Sequence, residues 1–428
     1  MVQISLSRMN GFPAELLERI YLDSEPRDFV ALSSCCRQYH DVLHESSDQF
    51  VWRTHFLERF DDPKICINRL GEPVAQNAKS FNWKGEFQRR IRAQSVLEDP
   101  SRCRLDEVAV ILRTLISMII ETPLVNAPFE TSDISKNLLW FESQRSSWQE
   151  VNNFISYLRK QDLPPCDEQL LSQFYAMNGL LDEELEFDEI STHRSKVYRT
   201  IDLHEKCRWG PYCPVSTAAE LEDESSSKVD WTYIRAVENV FAFHLVTFEE
   251  GDEENELICL SEFNLSLCQA QVPEGSNSHS GDWAGVEGNW EYNYCHLPSS
   301  STAFQGPEEE DDWRTREVLC QMSTSLKITN FAPNPLFPSR PSIFFADEEG
   351  FHNFKGSVSM TPEKEVRWKL EYMYMSQELP WQVGTSWSFD GVQVGVLKST
   401  FGVLGTWSNT LQPANHVSGP AWFHKVRN

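Results

Sequence analysis

Residues 366–375 read VRWKLEYMYM, and their strict alternation puts Val366, Trp368, Leu370, Tyr372 and Tyr374 on one side and Arg367, Lys369 and Glu371 on the other. A period of two is the signature of a strand with one face buried. GVQVGVL, residues 391–397, repeats the pattern with Val392, Val394 and Val396. Cut by Gly and Pro turns from about Leu257 to Val426, such strands predict an antiparallel β barrel or sandwich with one buried face. Two corners, Gly285 to Trp290 and Gly402 to Trp407, share the order G-V-x-G-x-W. Their glycines are free to take positive φ, and each tryptophan is placed to plug a barrel end.

Upstream the period changes. Val108, Ile111, Leu112, Leu115, Ile116 and Ile119 form one face of a helix, with Asp106 and Glu107 in its first turn and Pro123 past its end. Trp148, Val151, Ile155 and Leu158 form a second such face, and Leu170, Leu171, Phe174, Met177 and Leu181 a third, so three antiparallel helices are expected to bury them together. Phe81 to Arg92, containing QRRIR, reads as an exposed basic helix. Asp230 is placed to cap a helix carrying Trp231, Ile234, Val237, Val240 and Phe241, and ELICLSEF at 256–263 has strand character. The expected class is α+β: a helical N-terminal half, then a mainly antiparallel sheet, with acidic loops near 216–228, 249–256 and 307–312.

The 428 residues suggest roughly two to four domains. A net charge of −26 repels a phosphate backbone, so nucleic acid is not an expected partner. The longest apolar run, Val108 to Ile120, carries Arg113 and is shorter than the roughly 18–20 residues that span a bilayer, so no membrane is expected either. The odd number of cysteines, 11, scattered through helical and strand patterns, suits reduced thiols of a cytoplasmic or nuclear protein.

Phe12 to Phe56 is the other decisive stretch. Pro13, Leu16, Leu17 and Ile20 share one helical face; Phe29, Leu32 and Cys36 repeat the spacing, as do Tyr39, Val42 and Leu43, and Trp52 with Phe56 closes the set. An apolar cluster this short rarely stabilises a free-standing domain, so a partner protein is the natural support. The order FP-x-ELL-x-x-I-x-L, DF-x-x-LS-x-x-CR and W-R-x-x-F resembles the F-box, the module that docks substrate receptors on the Skp adaptor of SCF ubiquitin ligases. Phe12 stands where Leu is usual, SSCCR carries a second cysteine, and Val51 precedes the tryptophan in place of Leu.

The resemblance implies three parts: an F-box at 9–56, a helical linker region at 57–200 and a β-rich receptor domain at 201–428. It implies that Phe12, Pro13, Leu16, Leu17, Ile20, Leu22, Phe29, Leu32, Cys36 and Trp52 contact the Skp adaptor, and through it a cullin. RWGPYCP, DWAGVEGNWEY and the closing GPAWFHKV resemble the large F-box proteins of filamentous fungi, and the paired G-V-x-G-x-W corners are similar to those of lipocalin-like barrels. On this reading the chain is a non-catalytic receptor for an unknown protein substrate, with exposed Trp283, Trp381 and Trp387 as candidate anchors. The alternative is a small-molecule-binding barrel whose Gly-x-Trp corners frame an apolar cavity.

A search for chemistry returns little. His204, Cys207 and Cys213 supply only three ligands and a proline-interrupted tail, so no metal and no cofactor is expected. Cys35 and Cys36 read as small core hydrophobes. The acidic runs lack EF-hand spacing, and no P-loop, G-x-S-x-G or G-x-G-x-x-G occurs.

Overall fold

The computed structural model describes residues 12–46, 48–75, 81–123, 135–145, 149–178, 187–198, 211–214, 227–249, 268, 281–296, 317–347, 354–375, 383–409 and 418–426. Trp381, His204, Cys207, the segment 256–263 and nearly all of the acidic loops lie outside them.

The alternating stretch at 366–375 is one stave of a closed antiparallel barrel. Its eight strands are β5 (Gly288–His296), β6 (Val318–Ala332), β7 (Ser342–Asp347), β8 (Phe354–Met360), β9 (Val366–Met375), β10 (Val383–Gln393), β11 (Val403–Asn409) and β12 (Ser418–Lys425). Each pairs with the next in sequence, and β12 closes on β5 with Ala421 opposite Tyr294 and Lys425 opposite Trp290. Closure removes the free edges that an open sheet would expose. Val366, Trp368, Leu370 and Tyr372 face the lumen as the alternation predicts, where Trp290 stacks on Phe423 at 4.8 Å and tilts against Trp368 at 5.0 Å.

The valines at 392 and 394 behave differently. They belong to the core shared with the helices, because in β10 the lumen-facing residues are Phe389, Gly391 and Gln393 and the intervening side chains point outward. The expectation of one buried face therefore holds for β9 and fails for β10 to β12, whose outer face is covered by a helix. Phe241 of that helix lies 5.9 Å from Trp422, and the Tyr233 hydroxyl meets Thr406 Oγ1.

Of the two matched corners, Gly402 makes the strictest demand. Its φ is +87°, and a Cβ there would lie 2.0 Å from the Phe423 carbonyl oxygen. Gly402→Ala is expected to cost about 3 kcal/mol, combining left-handed strain with displacement of β12. A urea-unfolding midpoint checks this, and an unchanged midpoint would contradict the packing of this corner.

The helical half comprises α1 (Ala14–Leu22), α2 (Phe29–Ser33), α3 (Arg37–His44), α4 (Phe50–Arg59), α5 (Trp83–Glu98), α6 (Val108–Ile120), α7 (Lys136–Arg145), α8 (Gln149–Arg159), α9 (Pro165–Met177), α10 (Phe187–Tyr198) and α11 (Trp231–Glu249). Two short ribbons, β1 (Cys66–Ile67) with β2 (Thr122–Pro123) and β3 (Tyr212–Pro214) with β4 (Ser227–Val229), join neighbouring segments. The apolar faces of α6, α8 and α9 are buried as predicted, with Leu170 half-buried and Trp148 and Leu181 outside the described residues. The helical layer does not stop at residue 200: α11 packs on α9 and α10 because both of its sides are apolar, one meeting helices and the other the barrel.

The exposed basic helix expected at 81–92 is instead central. Arg90 of α5 is buried, its guanidinium lying 4.6 Å and 4.7 Å from the ring centres of Phe56 and Phe60, with Glu86 and Asn137 Oδ1 accepting its hydrogen bonds. A flat, weakly hydrated cation with aromatic faces and acceptors on hand is the kind that tolerates burial. Arg92 is also engaged, and its hydrogen bond to Glu107 leads the effects that hold that carboxyl down to about 2.

His193 ties α10 to α11. Asn239 Nδ2 donates to His193 Nε2 at 2.9 Å, while the Tyr175 hydroxyl donates to Asn239 Oδ1 at 2.8 Å, an order that requires unprotonated Nε2. Burial, aided by Arg235, Arg159 and Lys196, pushes the imidazole pKa down to about 3. The unfolded chain then binds more protons than the folded one between about pH 3 and 6.5, so stability falls on acidification through that window, by at most about 1.4 kcal/mol per pH unit. Unfolding midpoints at pH 7.0 and 5.5 test this: the wild type is expected to lose stability, and His193→Gln to lose less.

Helices and barrel are joined by buried polar contacts as well as apolar ones. Arg69 pairs with Glu365 at 2.7 Å and donates to the Gly395 carbonyl at 3.0 Å, while Gln173 of α9 donates to the other Glu365 oxygen at 3.1 Å. Among the described residues no helix is long and apolar enough to cross a membrane.

Candidate functional site

The N-terminal helices divide their apolar residues between an inner and an outer face. Inside, Leu17, Tyr21, Phe29, Tyr39, Leu43 and Trp52 are sealed. Phe29 meets Tyr21 edge-on at 5.5 Å and Trp52 at 5.3 Å; the Trp52 indole N–H donates to the Leu43 carbonyl at 2.8 Å, and the Tyr21 hydroxyl to the Tyr39 carbonyl at 3.1 Å. Burial pushes the Tyr21 hydroxyl up to about 12, which keeps it a neutral donor. This core continues through Trp52–Phe87 and Phe56–Trp83 into α5, so the cluster rests on its own chain.

The outer face remains unsupported. Phe12 is 39% exposed and Leu16 52%, Pro13 lies beside them, and Val30 on α2 is 74% exposed. Gln38 of α3 donates to the Phe12 carbonyl at 2.6 Å and fixes where α1 begins. Of the residues expected to meet an adaptor, Phe12, Pro13 and Leu16 thus point outward, Ile20, Leu22, Leu32 and Cys36 are half-buried, and Leu17, Phe29 and Trp52 are structural. The division follows from a helix one turn of which already spends Leu17 and Tyr21 on the core. Cys35 is exposed, unlike the core hydrophobe expected from sequence, whereas Cys36, the residue before α3, is half-buried and packs against the core.

Val30 and Phe50, the latter 41% exposed, were not singled out by periodicity, because each adjoins a stronger core position, Phe29 and Val51. Beside Val30 a groove of about 290 Å³ runs between the small helices and α5, bordered by Leu43, Trp52, Phe87 and Ile91. No protein-family model, curated protein or solved structure matches this chain.

A second constellation sits between helices and barrel. Glu317, just ahead of β6, accepts from Arg194 and from His244 Nε2 at 2.8 Å on one oxygen and from the Tyr198 hydroxyl on the other. Burial raises its carboxyl, but the His244 hydrogen bond and the nearby charges outweigh that and hold it below the usual carboxylate range. Cys295 lies within ligating reach of His244 and Glu317, and burial pushes its thiol well above the ordinary value. Arg194 supplies a positive charge directly to the Glu317 carboxylate, so the cluster acts as a tie between α10, α11 and the barrel. Nothing local announces it, since its members come from positions 194 to 317.

Of the tryptophans expected to be exposed anchors, the two among the described residues, Trp283 and Trp387, are not exposed. Trp283 is 6% exposed, its indole N–H donating to the Pro341 carbonyl at 2.7 Å beneath the Arg340 guanidinium. Trp387 is half-buried in the lumen, stacked at 4.9 Å on both Tyr292 and Tyr372. Large aromatic rings gain more from filling a narrow barrel than from standing in a loop. Nor does the Gly285–Trp290 corner frame a cavity: the end bounded by 281–288 is packed by Ala284, Val286 and Trp290, with Lys425 over the Trp290 ring.

Proposed function

We propose that the chain is the substrate-receptor subunit of an SCF-type ubiquitin ligase, docking on a Skp adaptor, and through it a cullin, with the outer face of α1 and α2. The observation that carries this reading is the exposure of Phe12, Leu16 and Val30 on a helical cluster whose own core is already complete. Exposed apolar side chains that share one face support an interaction surface. The F-box resemblance of the segment that carries Phe12 and Leu16 suggests the partner.

The barrel is then the receptor. Held to the helices by Arg69–Glu365 and by the Glu317 cluster, it keeps a fixed relation to the docking face. A bound substrate would be presented at high local concentration to a charged conjugating enzyme, a role that asks for rigid spacing rather than a catalytic side chain. The test is co-purification of the full chain with a Skp adaptor. A stoichiometric complex is expected, and its absence at micromolar concentrations removes the reading.

A further inference from the structure

The polar tie between helices and barrel brings three metal-ligating groups together. His244 comes from α11, Cys295 from β5 and Glu317 from just ahead of β6, and all three are buried. Cys295 carries a free thiol and belongs to the core that the barrel shares with the helices, so its side chain leaves the lumen and meets α11. The imidazole nitrogen, the thiol sulfur and a carboxylate oxygen lie within 4.8 Å of one another. Ligand atoms around a tetrahedral zinc ion stand roughly 3.3–3.6 Å apart, given bonds of about 2.0–2.3 Å. One ion can therefore bridge the three after small side-chain movements.

The hydrogen bonds of the cluster are compatible with that ion. A carboxylate offers about four acceptor sites, and Glu317 uses three of them, for Arg194, Tyr198 and His244. The His244 bond, 2.8 Å from Nε2 to Oε2, already sets two ligands side by side. A metal ion takes the place of the proton in that bond, the imidazole carrying its proton on Nδ1 instead, while Arg194 and Tyr198 keep their hold on Glu317. Cys295 releases its thiol proton to solvent on binding, and one thiolate with one carboxylate matches the two charges of the ion. A thiolate and an imidazole beside a single carboxylate suit zinc, whereas magnesium and calcium take oxygen ligands.

We infer that His244, Cys295 and Glu317 form a zinc site that locks α11 onto the barrel, with the fourth position left to an oxygen donor. Its ligands are brought together only by folding, so metal binding adds to the stability of the folded chain. The inference does not rest on adaptor docking.

The test uses the full chain, stripped with EDTA and titrated with zinc chloride. One equivalent is expected to bind and to raise the thermal unfolding midpoint by about 5 °C or more. Zinc X-ray absorption of that one-to-one complex should show a single sulfur at about 2.3 Å and nitrogen or oxygen at about 2.0–2.1 Å. Cys295→Ala, which removes the sulfur, should abolish the rise in midpoint and keep the wild-type circular dichroism spectrum. An unmoved midpoint in the wild type, a bound zinc with no sulfur or with two or more, or the full rise in folded Cys295→Ala would each overturn the site. The absorption measurement needs no variant, so it decides the matter even if Cys295→Ala does not fold.

Discussion

Glu317→Ala is expected to lower the unfolding free energy by about 3–5 kcal/mol, the largest loss anticipated from any single polar residue of this chain. The physical reason is what remains behind. Arg194 and His244 are both buried, and both direct a donor at the missing carboxylate. Breaking one side of a buried ion pair costs far more than the pair itself contributes, because an uncompensated charge stays in a poorly polarisable setting. Chemical denaturation measures the loss. Replacing Arg194 and Glu317 together by Met and Leu should recover a good part of it, whereas purely additive losses would show that the two do not act as a pair.

The same residue predicts a pH effect. A carboxyl held below its unfolded value adds stability above about pH 4.5, and that addition disappears as pH falls through the folded value. Glu317→Ala should therefore flatten the acid limb of the stability profile, separately from the His193 contribution at higher pH.

How much of this was legible in the sequence depends on the range over which each signal acts. Strand alternation at 366–375 and the helical faces at 108–119 and 151–158 are local, and the barrel and helices follow from them. Which side of β10 meets a helix is not local. Val392 and Phe389 are both apolar, and only closure of the barrel decides that Phe389 turns inward and Val392 outward. Arg90 misled for a related reason: a basic run looks solvated until Phe56 and Phe60 at the end of α4 and Asn137 of α7, residues from two other segments, are brought around it.

Periodicity marks the 12–56 segment as amphipathic but merges its two faces. The spacing of Leu16, Leu17 and Ile20 marks an amphipathic helix and leaves open which of two adjacent leucines the chain uses for itself. Leu17 is sealed, while Leu16, one residue away and about 100° around the helix, is not. A Leu17→Asp variant would place a charge in the core and report on folding alone.

Leu16→Asp combined with Val30→Asp is accordingly the informative variant. Both side chains are exposed, so stability should stay within about 1 kcal/mol of wild type, two surface sites at roughly 0.5 kcal/mol each. If the outer face of α1 and α2 docks a Skp adaptor, two large apolar contacts are lost and two charges face an apolar partner. A cost of at least 4 kcal/mol follows, about a thousandfold in affinity.

Isothermal titration of a Skp adaptor into the full chain, wild type beside this folded double variant, is the most direct test. The expected result is a stoichiometric complex with the wild type and binding at least a thousandfold weaker with the variant. Equal affinity in the two, or none in either, would contradict the assignment of this face as the docking surface.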